Sequence, residues 1–520
     1  MRTQGGSGEA DARASGCSCL LGLDVGGSGV KVGLFDLDGR LRALQEAPIP
    51  VSTPHPGWAE VDPRRWSEAV VAGVRSVMSQ SGVAPEQVLA VGLSNMIATV
   101  MPLDAEGRPL RPAILYYDTR SAVEAAWMLD RAPEIGFVTG NRVLAGNTSL
   151  ASILWVGRHE PETHAAAALY ATVNTWLFRW LTGETRADWT NASFMGLFDY
   201  HHMTWSPELA AKLGFDVRYL APVSAPHSAA PLSVLMASLL GLRPGTPVVL
   251  GGLDGAMSSL GVGAIHVGDA FDVSGTSEMV AVCLPGPAVC PELLGRWHVV
   301  PGLWTMIGAI STPGAAWQWV RNQLYAPGSR DDPQSVYEAM TIEAAASPPG
   351  ANGVSFLPHM MGERAPLWDP HARGVFFGLS LSTGRGDLLR AVLEGAAYAI
   401  RHVLEIIAER GGANVERVVS VGGATRNRLW LQIKADVWGV EIRVSPVREA
   451  SALGAAMTAG VGAGLYADYD EAVRRTAAAR DGGSVIVPDP ARQSAYEHPY
   501  RVYRRLYPAL AATMRFAAES

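Results

Sequence analysis

LDVGGSGV at residues 23–30 and FDVSGTSE at residues 271–278 are two copies of one sequence pattern. Each copy has apolar strand residues, then an Asp, then a tight turn of Gly, Ser and Thr, and then a second strand. Glycine lets the backbone come close to a ligand, and the exposed N–H groups of such a turn can bind an anion. The two copies therefore predict two turns that hold one polyphosphate from opposite sides.

A second pair of similar stretches follows in the same order. EQVLAVGLS at residues 86–94 parallels ERVVSVGGA at residues 416–424, and both predict a short buried strand that runs into a glycine turn. Two repeated motifs in one order indicate a duplicated architecture with extra residues inserted in the first half. The predicted fold is α/β, with sheets that carry helices on their faces.

Length and composition limit the kind of protein. A chain of 520 residues predicts about two to four domains. The net charge of -7 argues against a nucleic-acid partner, because a phosphate backbone requires clustered Lys and Arg. Four cysteines without a metal or disulfide spacing indicate free thiols in a reducing cytoplasm. Without a nucleic-acid partner, the expected partner is a small molecule. No apolar run is long enough for a membrane span, so a soluble protein of the cytoplasm is expected.

The sequence also predicts the domain boundaries and several helices. Residues 1–18 lack the apolar stretch of a signal peptide and are expected to form a disordered tail. An N-terminal domain is expected over 19–262 and a C-terminal domain over 263–508. Helices are expected over 66–78, 165–181, 426–438 and 450–463. The stretch 326–353, rich in Ser, Pro and Asp, is expected to be a surface excursion.

Asp254 is the strongest candidate for proton transfer. It ends the apolar stretch VVLGGLD at residues 248–254, and Gly255 follows it, so a substrate can approach. Open α/β sheets bind ligands at the carboxyl ends of their strands. The alternative is an Asp that only caps the following helix, and the two roles can coexist. Asp24 occupies a similar strand end and is a candidate for Mg²⁺, which prefers a carboxylate together with waters and phosphate oxygens.

The longest motif lies in the second half. GVFFGL at residues 374–379 is followed seven residues later by DLLRAVLE at residues 387–394. In this motif the chain resembles the FGGY family of carbohydrate kinases, and the order and spacing of the other motifs agree over residues 20–505. The resemblance implies two actin-like (ribonuclease H-like) domains, with ATP and a sugar bound in the cleft between them.

The resemblance also implies roles for individual residues. Asp254 matches the catalytic base, and Asp24 matches the carboxylate associated with Mg²⁺. The expected nucleotide contacts are Gly26 and Ser28 in the first turn, Gly275 and Thr276 in the second, and Gly314, Gln318, Gly423 and Asn427 beyond it. The expected sugar contacts, besides Asp254, are Asn95, Met96, Ile97, Asp118 and Arg120.

The substrate is less sharply defined. LSNMIA at residues 93–98 lacks the His that xylulokinases typically carry in this stretch. The pair Asp254-Gly255 and the stretch GERAPLWD at residues 362–369 resemble gluconate kinases instead. A pentulose such as D-xylulose is the first expectation and gluconate, or another polyol or sugar derivative, is the second.

Two further alternatives remain open at the level of sequence. One is an actin-like ATP switch that uses no sugar. The other is a kinase fold that acts in a specialised pathway. A homodimer also remains open.

Overall fold

The computed structural model describes residues 18–325 and 333–518. The strands of the first half are β1 (Cys19–Val25), β2 (Gly29–Asp36), β3 (Leu41–Pro48), β4 (Glu60–Val61), β5 (Val88–Asn95), β6 (Val100–Leu103), β7 (Ala113–Ile114), β8 (Leu169–Thr172), β9 (Ala187–Asp188), β10 (Phe198–Asp199), β11 (Thr204–Trp205), β12 (Val223–Ser224), β13 (Ala229–Pro231) and β14 (Pro247–Leu253). Those of the second half are β15 (Asp269–Ser274), β16 (Glu278–Leu284), β17 (Leu294–Trp297), β18 (Trp304–Ile310), β19 (Ser355–Leu357), β20 (Val375–Phe377), β21 (Arg417–Val421), β22 (Glu441–Val444) and β23 (Val485–Ile486).

Helices alternate with these strands. The helices of the first half are α1 (Pro63–Ser81), α2 (Ala122–Arg131), α3 (Ile135–Thr139), α4 (Ser149–His159), α5 (Pro161–Ala166), α6 (Val173–Thr182), α7 (Trp189–Ala192), α8 (Pro207–Lys212), α9 (Val234–Leu240) and α10 (Asp254–Gly261). Those of the second half are α11 (Pro313–Leu324), α12 (Pro333–Ala346), α13 (Arg385–Gly411), α14 (Arg428–Trp438), α15 (Ala450–Gly462), α16 (Tyr469–Arg475) and α17 (Pro490–Ala518).

The first large sheet has the strand order β13–β14–β5–β1–β2–β3. β1, β2 and β3 are antiparallel neighbours, whereas β5 lies parallel to β1, and β14 lies parallel to β5. In this register Asp24 pairs with Ser94, and Leu253 pairs with Asn95. The carboxyl ends of the three parallel strands therefore lie at one edge of the sheet, and Asp254 follows directly after one of them.

The second large sheet repeats the plan of the first. Its order is β17–β18–β16–β15–β21–β22–β23, in which β15 and β16 form an antiparallel hairpin and β21 lies parallel to β15. In both sheets the hairpin is joined by a Gly-Ser/Thr turn, at residues 26–28 and 275–277. The duplication predicted from the repeated motifs is confirmed.

Helix α15 connects the two halves. It comes late in the chain, yet it packs against β1 and β5 of the first sheet and crosses α10. The packing is close enough to require glycine, since a Cβ on Gly22 or Gly92 would lie 1.9 Å from a carbonyl oxygen of α15. A Cβ on Gly454 of α15 would likewise lie 1.9 Å from the carbonyl oxygen of Met257 in α10. The contiguous domain ranges predicted from sequence assign α15 to the second domain only.

Strand β17 makes a second connection between the halves. It pairs with β18 of the second sheet. It is also hydrogen-bonded to the first half: the side-chain amide of Asn141 donates to the Gly295 carbonyl at 2.8 Å, and the indole of Trp189 donates to the His298 carbonyl just after β17 at 2.7 Å. β17 is therefore held on both sides.

Three predicted elements need correction or extension. The stretch 165–181 is not one helix: β8 interrupts it and pairs with β6, because strand pairing satisfies the backbone of this apolar segment. The surface excursion expected over 326–353 contains helix α12. Helix α17 continues to Ala518, beyond the end predicted at residue 508. The helices expected over 66–78, 426–438 and 450–463 correspond to α1, α14 and α15.

The predicted tail over 1–18 lies, except for its last residue, outside the described residues. Among the helices of residues 18–325 and 333–518, none combines the length and the apolar character that a membrane crossing requires.

Candidate active site

Two carboxylates lie at the carboxyl edge of the first sheet. Asp24 is on β1, where its Oδ1 accepts a hydrogen bond from the Ser94 hydroxyl at 2.7 Å. Its Oδ2 accepts one from the Ser451 hydroxyl of α15 at 2.9 Å. Neutral hydroxyls hold both oxygens, so the negative charge of Asp24 has no cationic partner among these bonds. Asp24 is therefore oriented and remains able to attract a cation.

Asp254 is the first residue of α10 and immediately follows β14. Its Oδ1 accepts the Gly255 backbone N–H at 2.6 Å, so the side chain also satisfies a donor at the helix N-terminus. Burial and, to a smaller extent, the nearby charge of Asp24 raise the pKa of Asp254 to about 7, although the Gly255 N–H and the charge of Arg296 act in the opposite direction. A carboxyl group with a pKa near neutrality is suited to accept and release a proton.

Arg296 of β17 is a charged residue of this region that the sequence motifs do not include. It is only 4% exposed, and its Nε donates to the Thr305 hydroxyl at 3.0 Å. Its Nη2 is buried and has no hydrogen-bond partner among the described residues. A Cβ on Gly255 would lie 3.0 Å from its Nη1, so glycine at 255 leaves room for the guanidinium. A single Arg in the apolar stretch LLGRWHVV, residues 293–300, is the sequence signal that could have revealed it.

The predicted sugar contacts fall into two groups. Asn95 and Met96 are buried, and the Asn95 amide is bonded to Asn191 and to the Met96 carbonyl. Ile97 is partly exposed next to them. The hydrogen bonds of Asn95 thus hold the end of β5 in place, and its direct contact with a sugar stays a prediction.

Asp118 and Arg120 form the other group. They are joined by an ion pair of 2.7 Å, and Arg120 also contacts Glu60 at 2.7 Å. The guanidinium carbon of Arg120 lies 3.7 Å from the ring centre of Trp58. Both side chains are almost fully buried, so the structure places them below the surface as a support for the adjoining loop. A direct sugar contact by this pair also stays a prediction.

Tyr116, two residues before Asp118, is one of two exposed tyrosines of that loop, next to Tyr117, and was not predicted. It is 37% exposed. Burial of part of its ring raises its pKa, and the charge of Asp254 adds to the shift, which places the phenol in the electrostatic range of the candidate base. Tyr116 is therefore a better candidate for contact with a substrate than the buried residues beside it.

The second half contains a cavity of about 710 Å³. Six predicted nucleotide contacts line it together: Gly275, Thr276, Gly314, Gln318, Gly423 and Asn427. Tyr337 and Thr341 of α12 line it as well and were missed, because their segment was expected to be a surface excursion. The volume is in the range of small-molecule binding sites. Gly26 and Ser28 are not among the residues that line this cavity and lie at the β1–β2 turn near Asp24.

The turn of the second hairpin is held against α11. The Ala315 N–H donates to the Thr276 carbonyl at 3.0 Å, and a Cβ on Gly314 would lie 2.0 Å from the Gly275 carbonyl oxygen. Only glycine permits this approach. The turn and the start of α11 therefore form one wall of the cavity.

The single carboxylate of Asp24 fits a hydrated cation that is bound by few protein ligands. Within the described parts of the chain, no three His, Cys, Asp or Glu side chains are grouped in a way that could hold a metal ion. Mg²⁺ does not need such a group, because it commonly binds one or two carboxylates, several waters and substrate phosphates. Asp24 is the residue here that would hold it.

Family models match both halves of the chain. The N-terminal domain model of the FGGY family of carbohydrate kinases matches residues 19–261, and the C-terminal domain model matches residues 271–463. The chain belongs to the FGGY family of carbohydrate kinases. It therefore has the two-domain, actin-like fold of that family, and family membership implies a sugar kinase that uses ATP as the phosphate donor.

Individual relatives agree with this assignment. A xylulose kinase of Escherichia coli (strain K12) is 31% identical over 499 residues, which cover 95% of this chain and 99% of that protein. A gluconokinase of Bacillus licheniformis is 28% identical over 465 residues, covering 86% and 88%. The crystal structure of a xylulose kinase from Rhodospirillum rubrum superimposes with a TM-score of 0.88 at 30% identity, covering 96% of this chain and 100% of that chain.

Proposed function

We propose that this sugar kinase transfers the γ-phosphate of ATP to a terminal hydroxyl of a small open-chain sugar, with a pentulose such as D-xylulose as the first candidate. The observation that carries the proposal is Asp254, which follows the end of a central strand, is held by the Gly255 N–H and has a pKa close to neutrality. Relatives named as xylulose kinases match almost the whole chain and support a pentulose.

In this mechanism Asp254 orients the sugar hydroxyl and accepts its proton as the oxygen attacks the γ-phosphorus. Oδ1 is occupied by the Gly255 N–H, so Oδ2 is the oxygen that receives the proton. A proton acceptor used late in phosphoryl transfer does not need to be a strong base. Asp254 therefore acts mainly by positioning the hydroxyl.

Both halves of the chain contribute groups that stabilise the negative charge of the nucleotide. The turn at residues 275–277 holds the phosphate chain through Thr276 and its backbone, while the Gly275 N–H is already donated to the Ser277 carbonyl at 2.9 Å. Mg²⁺, when bound near Asp24, supplies positive charge that neutralises the phosphate oxygens. Closure of the two domains over the sugar excludes water and limits hydrolysis of ATP.

A sugar acid such as gluconate is the second candidate, and Arg296 favours it. An almost fully buried guanidinium that forms no salt bridge with the described residues is costly, so an anionic group on a substrate beside Asp254 would stabilise it through its charge, without direct contact. The room that Gly255 leaves for Arg296 gives a physical reason for the Asp-Gly pair that the sequence shares with gluconate kinases. D-xylulose carries no charge and would not satisfy the guanidinium in this way.

The test is ADP release measured with D-xylulose, other pentuloses, aldonates including gluconate, polyols and deoxysugars. We expect turnover with a pentulose and a loss of about 10²–10⁴-fold in kcat for Asp254→Asn, with ADP affinity unchanged. Turnover with gluconate alone would replace the first candidate by the second. Rapid ATP hydrolysis that no sugar accelerates would support the actin-like switch, and near-normal turnover in Asp254→Asn would remove Asp254 as the base.

We further place the reaction in the cytoplasm, with the sugar and ATP as the expected partners and no role for nucleic acid. The net charge of -7 supports the last point. Cys283 and Cys290 are free thiols, and free thiols persist in a reducing compartment. Light scattering of the purified enzyme would decide whether it is a homodimer.

A further inference from the structure

A buried cluster of charges lies directly below the turn at residues 275–277. Asp272 is on β15, Glu278 begins β16, and Lys434 reaches them from α14. All three residues are 1% exposed or less. The two carboxylates flank the turn on its two strands, so the ammonium group lies between the ends of the hairpin that forms one wall of the nucleotide cavity.

Lys434 is bonded to both strands. Its Nζ lies 2.5 Å from Glu278 Oε1 and 3.6 Å from Asp272 Oδ2. It also donates to the Ser274 hydroxyl at 2.5 Å, and that hydroxyl donates to Asp272 at 2.8 Å. One side chain of α14 therefore fixes the last residue before the turn and the first residue after it.

The charges of the cluster do not cancel without Lys434. Asp272 Oδ1 and Glu278 Oε2 are buried and have no hydrogen-bond partner among the described residues. Burial, and to a smaller extent the neighbouring Asp272, raise the pKa of Glu278, although the charge of Lys434 lowers it. Burial alone would lower the pKa of Lys434, but Asp272 and Glu278 hold it above its usual value. Lys434 supplies one positive charge against these two carboxylates, beneath a proposed phosphate site.

Helix α14 also carries a residue of the other end of the cavity. Asn427 is its N-cap, and the Asn427 side chain accepts the Trp430 N–H at 3.0 Å and lines the cavity on the predicted adenosine side. Lys434 lies seven residues further along, which is about 10 Å in an α-helix. Helix α14 thus lines the cavity through its N-cap Asn427 and binds the strands on both sides of the turn at residues 275–277, called the phosphate turn below, through Lys434.

We propose that Lys434 is a positioning residue for the nucleotide, which holds the phosphate turn at a fixed distance from the adenosine contacts and offsets the carboxylates below that turn. The inference rests on the proposed function, because it requires ATP in this cavity. Lys434 does not itself touch the nucleotide. It acts through Ser274 and Glu278, which carry the turn.

A purely structural role makes a different prediction. If Lys434 only stabilised the domain, its loss would reduce the fraction of folded protein and leave the relative affinities of nucleotides unchanged. If it positions the turn, its loss would weaken ligands that contain phosphate and spare adenosine, which does not reach the turn. The comparison of ADP with adenosine therefore separates the two roles.

The experiment uses Lys434→Met in the full chain, with binding of ADP and of adenosine measured by calorimetry on the folded fraction. We expect ADP to bind roughly 10- to 100-fold more weakly, the range for loss of a charge-assisted hydrogen bond, and adenosine to bind within about twofold of the wild type. KM for ATP should rise, while KM for the sugar should stay within about twofold. Equal weakening of ADP and adenosine, or no weakening of either, would overturn the proposal.

Arg390→Met is the matched control. Arg390 is also buried in the second half, where it pairs with Glu394 at 2.7 Å and donates to the Ser347 carbonyl at 2.9 Å. It should lower thermal stability by a similar amount and leave the ratio of ADP to adenosine affinity unchanged. A change of that ratio in Arg390→Met equal to the change in Lys434→Met would show that the effect is general destabilisation.

A second variant keeps the test valid if Lys434→Met does not fold. Ser274→Ala removes the bond between the ammonium and the residue before the turn but keeps the Lys434–Glu278 pair after it, so it should weaken the binding of ADP by a smaller factor and leave that of adenosine unchanged. Unchanged ADP binding in this variant would contradict the proposal. Failure of the wild type to bind ADP would instead contradict the proposed function itself.

Discussion

At the scale of single residues, the position of Asp254 follows from local sequence, whereas its pKa depends on neighbours from distant parts of the chain. The sequence predicts its position, because an apolar strand, an Asp and a Gly follow one another there. The sequence does not predict its charge environment, since Arg296 is 42 positions away on an edge strand of the other sheet. The same limit applies to Tyr116, which becomes relevant only because folding brings its loop near Asp254.

The pKa of Asp254 predicts how the rate depends on pH. In the proposed mechanism Asp254 accepts a proton and must be deprotonated, so with a pKa of about 7 we expect kcat/KM to fall about tenfold for each pH unit below 7. Arg296→Met removes a charge that lowers this pKa and should shift the acid limb to higher pH. Thr305→Val is the control, because it removes the bond to Nε but keeps the charge, and should shift the limb less. An unchanged limb in Arg296→Met would contradict this interpretation.

At the scale of elements, the sequence predicts helix α15 but not helix α12. The run of small residues that begins at Ala450 predicts a helix over 450–463, and the structure has α15 over Ala450–Gly462. The surface that it covers was not predictable, because that surface lies more than 300 residues earlier in the chain. α12 was missed because Pro, Ser and Asp near its start dominate the composition of the segment, although its Tyr337 and Thr341 line the cavity.

The close contact between α15 and the first sheet predicts that one methyl group added to the sheet at Gly92 lowers the stability of the protein. A Cβ on Gly92 would lie 1.9 Å from the Ala455 carbonyl oxygen and 3.1 Å from the Ala459 side chain. We expect Gly92→Ala to lower the free energy of unfolding by about 1–3 kcal/mol or more, because the helix has to move away from the sheet. Urea denaturation measures the change.

Gly286→Ala is the matched control for that substitution, because a Cβ there would meet no heavy atom within 4 Å. It should change stability by less than about 0.5 kcal/mol. Equal stability of the two variants would show that the sheet and the helix can separate at little cost.

At the scale of the whole molecule, the duplicated plan of the two sheets was predictable and their interdependence was not. Repeated motifs identify the two hairpins and their parallel partner strands. They contain no information about α15 crossing to the first sheet, or about β17 bonding to Asn141 and Trp189. Both features depend on long-range packing between segments that share no motif.

These connections predict that the first half does not fold alone. A fragment over residues 19–262 lacks α15, so the faces of β1 and β5 that α15 covers would be exposed to water. We expect the fragment to bind a hydrophobic dye and to unfold without a cooperative transition, whereas the full chain should show one main transition by calorimetry. A fragment that unfolds cooperatively would contradict this prediction.

The late position of α15 also has a consequence for the order of events on the ribosome. When residue 262 has been synthesised, the chain must still be extended by about 200 residues before α15 is complete. At about 5–20 residues per second this interval is roughly 10–40 s, during which the first sheet has no native cover on one face. Nascent chains should therefore depend on chaperones during this interval, and slow codons between the two halves should lower the yield of active enzyme.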